Sequence, residues 1–172
     1  MSAGAPPVTD PALQREIEAF VFLEARLADT SRYGEWEALV DDDMTYHVPA
    51  GPVPDGVDPA DHLSYINDNR ARLATRIRQL QTGKRHAQTP VSTMARSLSN
   101  VEVLDAGGGQ YVVHATQVVY ELAVQSSARL QVWPGRVTYR LRRSADDSLR
   151  MAAKTVQLVT AGEPLPNLTF LL

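Results

Sequence analysis

The run Asp41-Asp42-Asp43-Met44-Thr45-Tyr46-His47-Val48-Pro49 places three carboxylates, a phenol and an imidazole within seven residues. If the run is a strand, its side chains alternate. Asp43, Thr45 and His47 then share one face, and Met44, Tyr46 and Val48 share the other. An aspartate and a histidine on one face can form an acid–base pair. With Tyr46 beside them in a buried cavity, such a set could abstract a proton or drive a dehydration. The same residues also read structurally: Asp41 and Asp42 end the preceding helix in solvent, while Met44, Tyr46 and Val48 fill a core. Both readings stand at this point.

Other chemistry is thinner. A facial iron triad needs two histidines and a carboxylate, and His62, His86 and His114 lie at no short ligand spacing from His47. His114 falls in a strand-like stretch with Val113, Ala115 and Val119. It either points into a cavity or is a hydrogen-bonded structural residue. There is no G-x-S-x-G elbow and no G-x-G-x-x-G, and Gly107-Gly108-Gly109 reads as a turn between strands. The 172 residues contain no cysteine, which excludes disulfides, thiolate catalysis and cysteine-held clusters for this chain.

These groups must be positioned by a helix-first, strand-later chain. Asp10-Pro11 has the cap-then-proline signature of a helix start. Leu13, Ile17, Phe20, Val21 and Leu27 follow at helical spacing. A second helix is expected over about 32–40, with Trp36, Leu39 and Val40 on one side, and a short strand over Met44–Val48. Four prolines and two glycines make residues 49–59 a loop. The start signal recurs at Asp58-Pro59, predicting a helix striped by Leu63, Ile66, Leu73, Ile77 and Leu80 and stopped by Gly83. Strands are expected over 93–104, 111–124, 129–143 and 149–159. The connections are short enough to join antiparallel neighbours. Such long strands curl, so the expected fold is α+β, a strongly curved antiparallel sheet closed by the N-terminal helices into a cone-like barrel. Residues 10–172 form its single domain behind a flexible 1–9. A pocket would be sought inside the cone. Pro134, in Trp133-Pro134-Gly135-Arg136, calls for a bulge or an edge, which would expose Trp133 and Arg136 as interface residues.

Net charge is only −3, against a nucleic-acid binder that works by bulk charge. No apolar run approaches the length of a membrane span, and the N-terminus lacks a secretory pattern. A soluble cytoplasmic protein is therefore expected, without nucleic-acid or membrane partners. The charge is nevertheless uneven. Residues 1–69 hold 14 acids and 3 bases, residues 70–99 hold 7 bases and no acid, and residues 100–172 hold 6 acids and 7 bases. Arg70, Arg72, Arg76 and Arg78 decorate the predicted third helix. They either cover its solvated face within the chain or, as expected for Arg70, Arg76 and Arg78, meet acids of a neighbouring subunit.

An ordered set of motifs gives a resemblance. It comprises F-V-F-L-E-A-R-L-A-D (20–29), Tyr33, Trp36, Leu39, Asp43, Tyr46 and Pro49, then R-I-R-Q-L-Q-T-G (76–83), Pro90, Ser92, Arg96 and S-N-V (99–101). P-G-R (134–136), Leu141-Arg142-Arg143 and N-L-T-F-L-L (167–172) complete it. From about Leu13 to Leu172 the chain resembles the small (beta) subunit of aromatic-ring-hydroxylating dioxygenases, the Rieske non-haem iron oxygenases. The resemblance implies the curved-sheet fold of nuclear transport factor 2, scytalone dehydratase and ketosteroid isomerase. It implies a large alpha subunit that carries a Rieske [2Fe–2S] cluster and a mononuclear Fe(II), with small subunits forming the trimeric base of an α3β3 hexamer. Electrons would come from NADH through reductase components, and the complex would dihydroxylate an aromatic compound in catabolism. Family small subunits carry no catalytic residue, cofactor or metal of their own. The alternative is a stand-alone isomerase or dehydratase of the same fold using Asp43, Tyr46, His47 or His114.

Overall fold

The computed structural model describes residues 4–53, 57, 61–82, 91–123, 128–166 and 168–172. The elements are α1 (Pro11–Asp29), α2 (Tyr33–Glu37), β1 (Val40–Pro49), β2 (Ser64–Asn69), α3 (Arg70–Gln81), β3 (Thr93–Gly107), β4 (Gln110–Ala123), β5 (Arg129–Arg143) and β6 (Leu149–Leu158). Helix α1 starts where expected: Asp10 accepts a hydrogen bond from the Ala12 amide at 2.9 Å, and proline occupies the first helical turn. Its buried stripe is Ile17, Phe20, Val21, Glu24, Ala25, Leu27 and Ala28, which packs against β3.

The strands form one curved six-stranded sheet in the order β2-β1-β6-β5-β4-β3. Two corrections follow. The sheet is mixed, because β1 runs parallel to β6 while every other pair is antiparallel. Local alternation reveals a strand but not its neighbour. Here the β3–β6 meander returns its last strand to the side of β1, a long-range pairing. Nor is the sheet a barrel closed by hydrogen bonds, since β2 and β3 remain its two edges. The helices and the C-terminal segment cover its inner face.

A third correction concerns residues 63–69. The helix predicted through Leu63 and Ile66 begins only at Arg70, with Asn69 capping the Arg72 amide at 3.0 Å. Before it, Ser64–Asn69 pairs with β1 as a strand. Ile66 and Leu73 are seven apart, a spacing that satisfies a helical stripe whatever the conformation of the residues between. Leu63 is 85% exposed and belongs to no core stripe. Leu73 and Ile77 do form the buried face of α3. The predicted signals at Asp58-Pro59 and Gly83 lie outside the described residues. Near the N-terminus, Pro6 and Val8 exchange backbone hydrogen bonds with the edge of β3.

Pro134 needs no bulge. The β4–β5 register runs unbroken through Val118↔Pro134. The Pro134 carbonyl faces the β6 side, where it accepts from the Val159 amide at 2.9 Å. The β5–β6 ladder ends at Gly135↔Leu158, so the missing N–H falls where no strand asks for it. Trp133 accordingly stays inside, 3% exposed, a correction to its expected place at the surface, whereas Arg136 is exposed.

Candidate functional site

The outer face of the sheet carries most of the groups that looked chemical. Strand pairing aligns Glu102, His114, Thr138, Thr155 and His47 in one row across five strands. His114 Nδ1 lies 3.1 Å from the Thr138 hydroxyl. His47 is buried on this same side, with Nε2 2.6 Å from Ser64 Oγ. The Ser64 hydroxyl donates to the His62 carbonyl at 2.7 Å, so Nε2–H of His47 is the donor of that pair. Between Val40 and Thr45 the β1–β6 register shifts, because four residues of β1 stand against one of β6. The aspartate run bulges there, and Asp41 and Asp43 meet Arg142 at 3.1 and 3.0 Å. Beside it lies an open cleft of about 440 Å³, whose walls include Asp43, Thr45, Arg140 and Arg142 over Ala152 and Ala153.

Tyr46 points the other way, into the interior, and its hydroxyl accepts from the Leu172 amide at 2.9 Å. Burial pushes the Tyr46 phenol up to about 12. The four pocket candidates are therefore split by the sheet. Tyr46 is on the inner side, Asp43, His47 and His114 are on the outer side, and no acid–base pair forms from them.

The interior holds a polar cluster that sequence reasoning missed. Glu24 is fully buried and accepts from Trp36 Nε1 at 2.6 Å, from Lys154 Nζ at 2.7 Å and from the Tyr139 hydroxyl at 3.1 Å. Lys154 Nζ also stands 5.4 Å from the Tyr139 ring centre. Burial raises the Glu24 carboxyl, but the charges of Lys154 and Arg96 with the bonds from Lys154 and Trp36 outweigh it, and the group is held below its ordinary value. Burial brings Lys154 down to about 8 despite Glu24. Burial, then the Glu24 charge, pushes Tyr139 well up.

Close by, Arg96 binds Asp29 at 2.6 Å and the Leu171 carbonyl at 2.8 Å. Phe170 packs edge-on against Trp133 with ring centres 5.6 Å apart. Phe170, Leu171 and Leu172 are all essentially buried. Phe170, Leu171 and Leu172 thus pack inside, on the inner face of the sheet. One signal for this cluster is present in the sequence: Glu24 sits at helical spacing within the apolar stripe of Ile17, Phe20, Val21 and Leu27.

The arginines of α3 are occupied within the chain. Arg70 pairs with Glu37 at 2.8 Å and Arg76 with Asp68 at 2.5 Å, while Arg78 reaches Thr75. The uneven charge along the sequence is largely matched in the same way, by Glu16–Arg143, Glu24–Lys154, Asp29–Arg96 and Asp41–Arg142. Cysteine is lacking altogether, and among the described residues no three histidine or carboxylate side chains converge as metal ligands. Without cysteine, the chain has no thiolate to hold an iron–sulfur cluster.

The architecture is that of the nuclear-transport-factor-2-like class. An NTF2-like protein with a cystatin-like fold from Novosphingobium aromaticivorans superposes with a TM-score of 0.59 at 18% identity, over 85% of this chain and 81% of that one. Closer in shape are a chain of naphthalene 1,2-dioxygenase with indole bound in the active site (TM-score 0.80, 18% identity, 96% and 88% covered) and the beta subunit of benzoate 1,2-dioxygenase from Burkholderia mallei (0.71, 22%, 94% and 97%). In sequence, the small oxygenase component of the p-cumate 2,3-dioxygenase system of Pseudomonas putida is 33% identical over 81% of this chain and 75% of its own length. The beta subunit of biphenyl 2,3-dioxygenase from Rhodococcus jostii is 27% identical over 94% and 89%. Residues 23–162 match the model of the ring hydroxylating beta subunit family, and the chain belongs to that family. It is a small subunit of an aromatic-ring-hydroxylating dioxygenase, and its partner is the large alpha subunit.

Proposed function

We propose that this chain is the non-catalytic, architectural member of its oxygenase, forming a trimer on which three large subunits are carried as an α3β3 hexamer in the cytoplasm. The Rieske cluster, the mononuclear Fe(II) and the aromatic substrate belong to the large subunit, with electrons from NADH through reductase components. The observation that carries the reading is an apolar strip on the outer face of β4 and β5. Tyr120 opposes Val132 and Leu122 opposes Leu130, and these four are 38–62% exposed. Val159, 74% exposed, follows the end of β6 near this strip. A contiguous patch of this kind on a soluble chain marks a surface that another chain covers. The burial of Phe170, Leu171 and Leu172 in the interior supports the same reading.

The test is co-expression with the large subunit, followed by size-exclusion chromatography with light scattering. The wild-type pair is expected at hexamer mass. Leu130→Asp with Val132→Asp is expected to fall to a folded species of lower mass, checked by circular dichroism. A wild-type chain that remains a monomer beside its large subunit overturns the reading. Charge reversal at Arg78 and, separately, at Arg136 tests these two exposed arginines as subunit contacts. Exposed pairs contribute only about 0–1 kcal/mol each, so the expected change is in salt dependence rather than in mass.

A further inference from the structure

Gln117 lies on the inner wall of β4, 1% exposed, and among the described residues neither its Oε1 nor its Nε2 has a hydrogen-bond partner. A primary amide offers two donors and two lone pairs, and buried polar atoms in folded proteins are nearly always paired with protein or an ordered small molecule. The residues paired with it across the sheet do not serve it. Leu98 and Gly135 stand directly across on either side and bring no polar side chain. Trp133, two residues from Gly135 on the same face, has given its indole N–H to Glu121 at 3.1 Å. Gly135 has a second property: a Cβ there would lie 2.9 Å from the backbone carbonyl oxygen of Gln157. The absent side chain thus brings that oxygen over the glycine, to the strand position opposite Gln117. A carbonyl has two lone pairs, so it can accept beyond its ladder bond.

We propose that the Gln117 amide and the Gln157 carbonyl hold one small neutral molecule that both donates and accepts, a water in the cell, inside the sheet where β4, β5 and β6 meet. It accepts from Gln117 Nε2 and donates to Gln157 O. The site gives the buried Gln117 Nε2 an acceptor and accounts for the glycine on the facing position, and it does not depend on the subunit role.

A crystal structure of the wild-type chain in its assembled oxygenase tests this. The expected result is a single ordered solvent peak within about 3.2 Å of both the Gln117 amide and Gln157 O. In Gln117→Met the peak is expected to vanish while the β4–β6 backbone stays in place. Where that variant does not fold, the wild-type map alone decides. A Gln117 amide bonded directly to Gln157 O or to another protein group, a clear map without the peak, or a peak that persists in Gln117→Met overturns the proposal.

Discussion

The two faces of β1 differ in a way that runs through the whole molecule. On the outer face, Asp43 is largely exposed and meets Arg142 on the surface, next to an open cleft. On the inner face, Met44, Tyr46 and Val48 are fully buried, and Tyr46 holds the backbone of the C-terminal segment. The outer groups are close together in sequence, which is why they resemble an active site. The inner groups, Glu24, Arg96, Tyr139 and Lys154, come from four different elements and meet only in the fold. Density of reactive residues along a chain is therefore a poor guide here to where charge is held in a low-dielectric setting. Desolvation, not proximity in sequence, gives a polar group leverage.

The strongest way to break this comparison is to remove one half of each ion pair. Lys154→Met leaves the Glu24 carboxylate buried without its cation, and a loss of about 3–5 kcal/mol in urea unfolding is expected. The double variant Glu24→Leu/Lys154→Met is expected to recover much of that loss. On the outer face, Arg142→Met is expected to cost under about 1 kcal/mol, because its carboxylate partners return to water. Equal losses at the two sites would dissolve the distinction. Of similar size, Phe170→Ala is expected to cost about 3–5 kcal/mol by opening a cavity against Trp133. A loss below about 1 kcal/mol would mean that the C-terminal segment does not pack in the interior.

The pH dependence sharpens the same contrast. The folded carboxyl of Glu24 is held low, so its contribution is present above the ordinary carboxylate range and is lost as pH falls below it. The Tyr46 phenol is raised to about 12, so its contribution is complete below pH 10 and is lost between about 10 and 12, on the order of 3 kcal/mol. Lys154, lowered to about 8, acts oppositely: stability rises between about 8 and its ordinary value. Tyr46→Phe is expected to be about 1 kcal/mol less stable than wild type at pH 7. That gap should close and then reverse above pH 10, as only the wild type loses its phenol contribution. A constant gap across the alkaline range would mean that the Tyr46 phenol is not buried.

Much of this fold was legible along the chain. The cap at Asp10, the stripe of α1, the four long strands and the glycine turn all follow from local periodicity and turn chemistry. At that turn, Gly107, Gly108 and Gly109 have φ of 83°, 62° and 72°, conformations that favour glycine. The parallel pairing of β1 with β6, the strand at Ser64–Asn69 and the place of Trp133 were not legible, because each depends on which element arrives next to it. The inner cluster was hidden in a further way. Between Met151 and Lys154 the β5–β6 register shifts by one residue, since Arg140 faces Ala153 and Leu141 faces Met151. That bulge changes which β6 residues face inward, so strict alternation from Leu149 and Met151 would put Lys154 on the outer face.

The smallest expected effects belong to the outer residues that began as chemistry. His114 is exposed and bonds only Thr138 among the described residues, and Asp43 is largely exposed beside Arg142. His114→Ala and Asp43→Asn are each expected to change unfolding free energy by under about 0.5 kcal/mol, as for surface positions outside a special structural role. In the assembled oxygenase, each is also expected to leave the turnover of an aromatic substrate within about twofold of wild type, well short of the 10²–10⁴-fold that general acid–base catalysis contributes. A hundredfold fall in kcat with assembly intact would move the chemistry back to the outer cleft and make Asp43 or His114 a reacting group. A fall that appears only with loss of the large subunit from the complex would instead assign the outer face to assembly. The two outcomes separate in one preparation, by measuring mass and turnover on the same fractions.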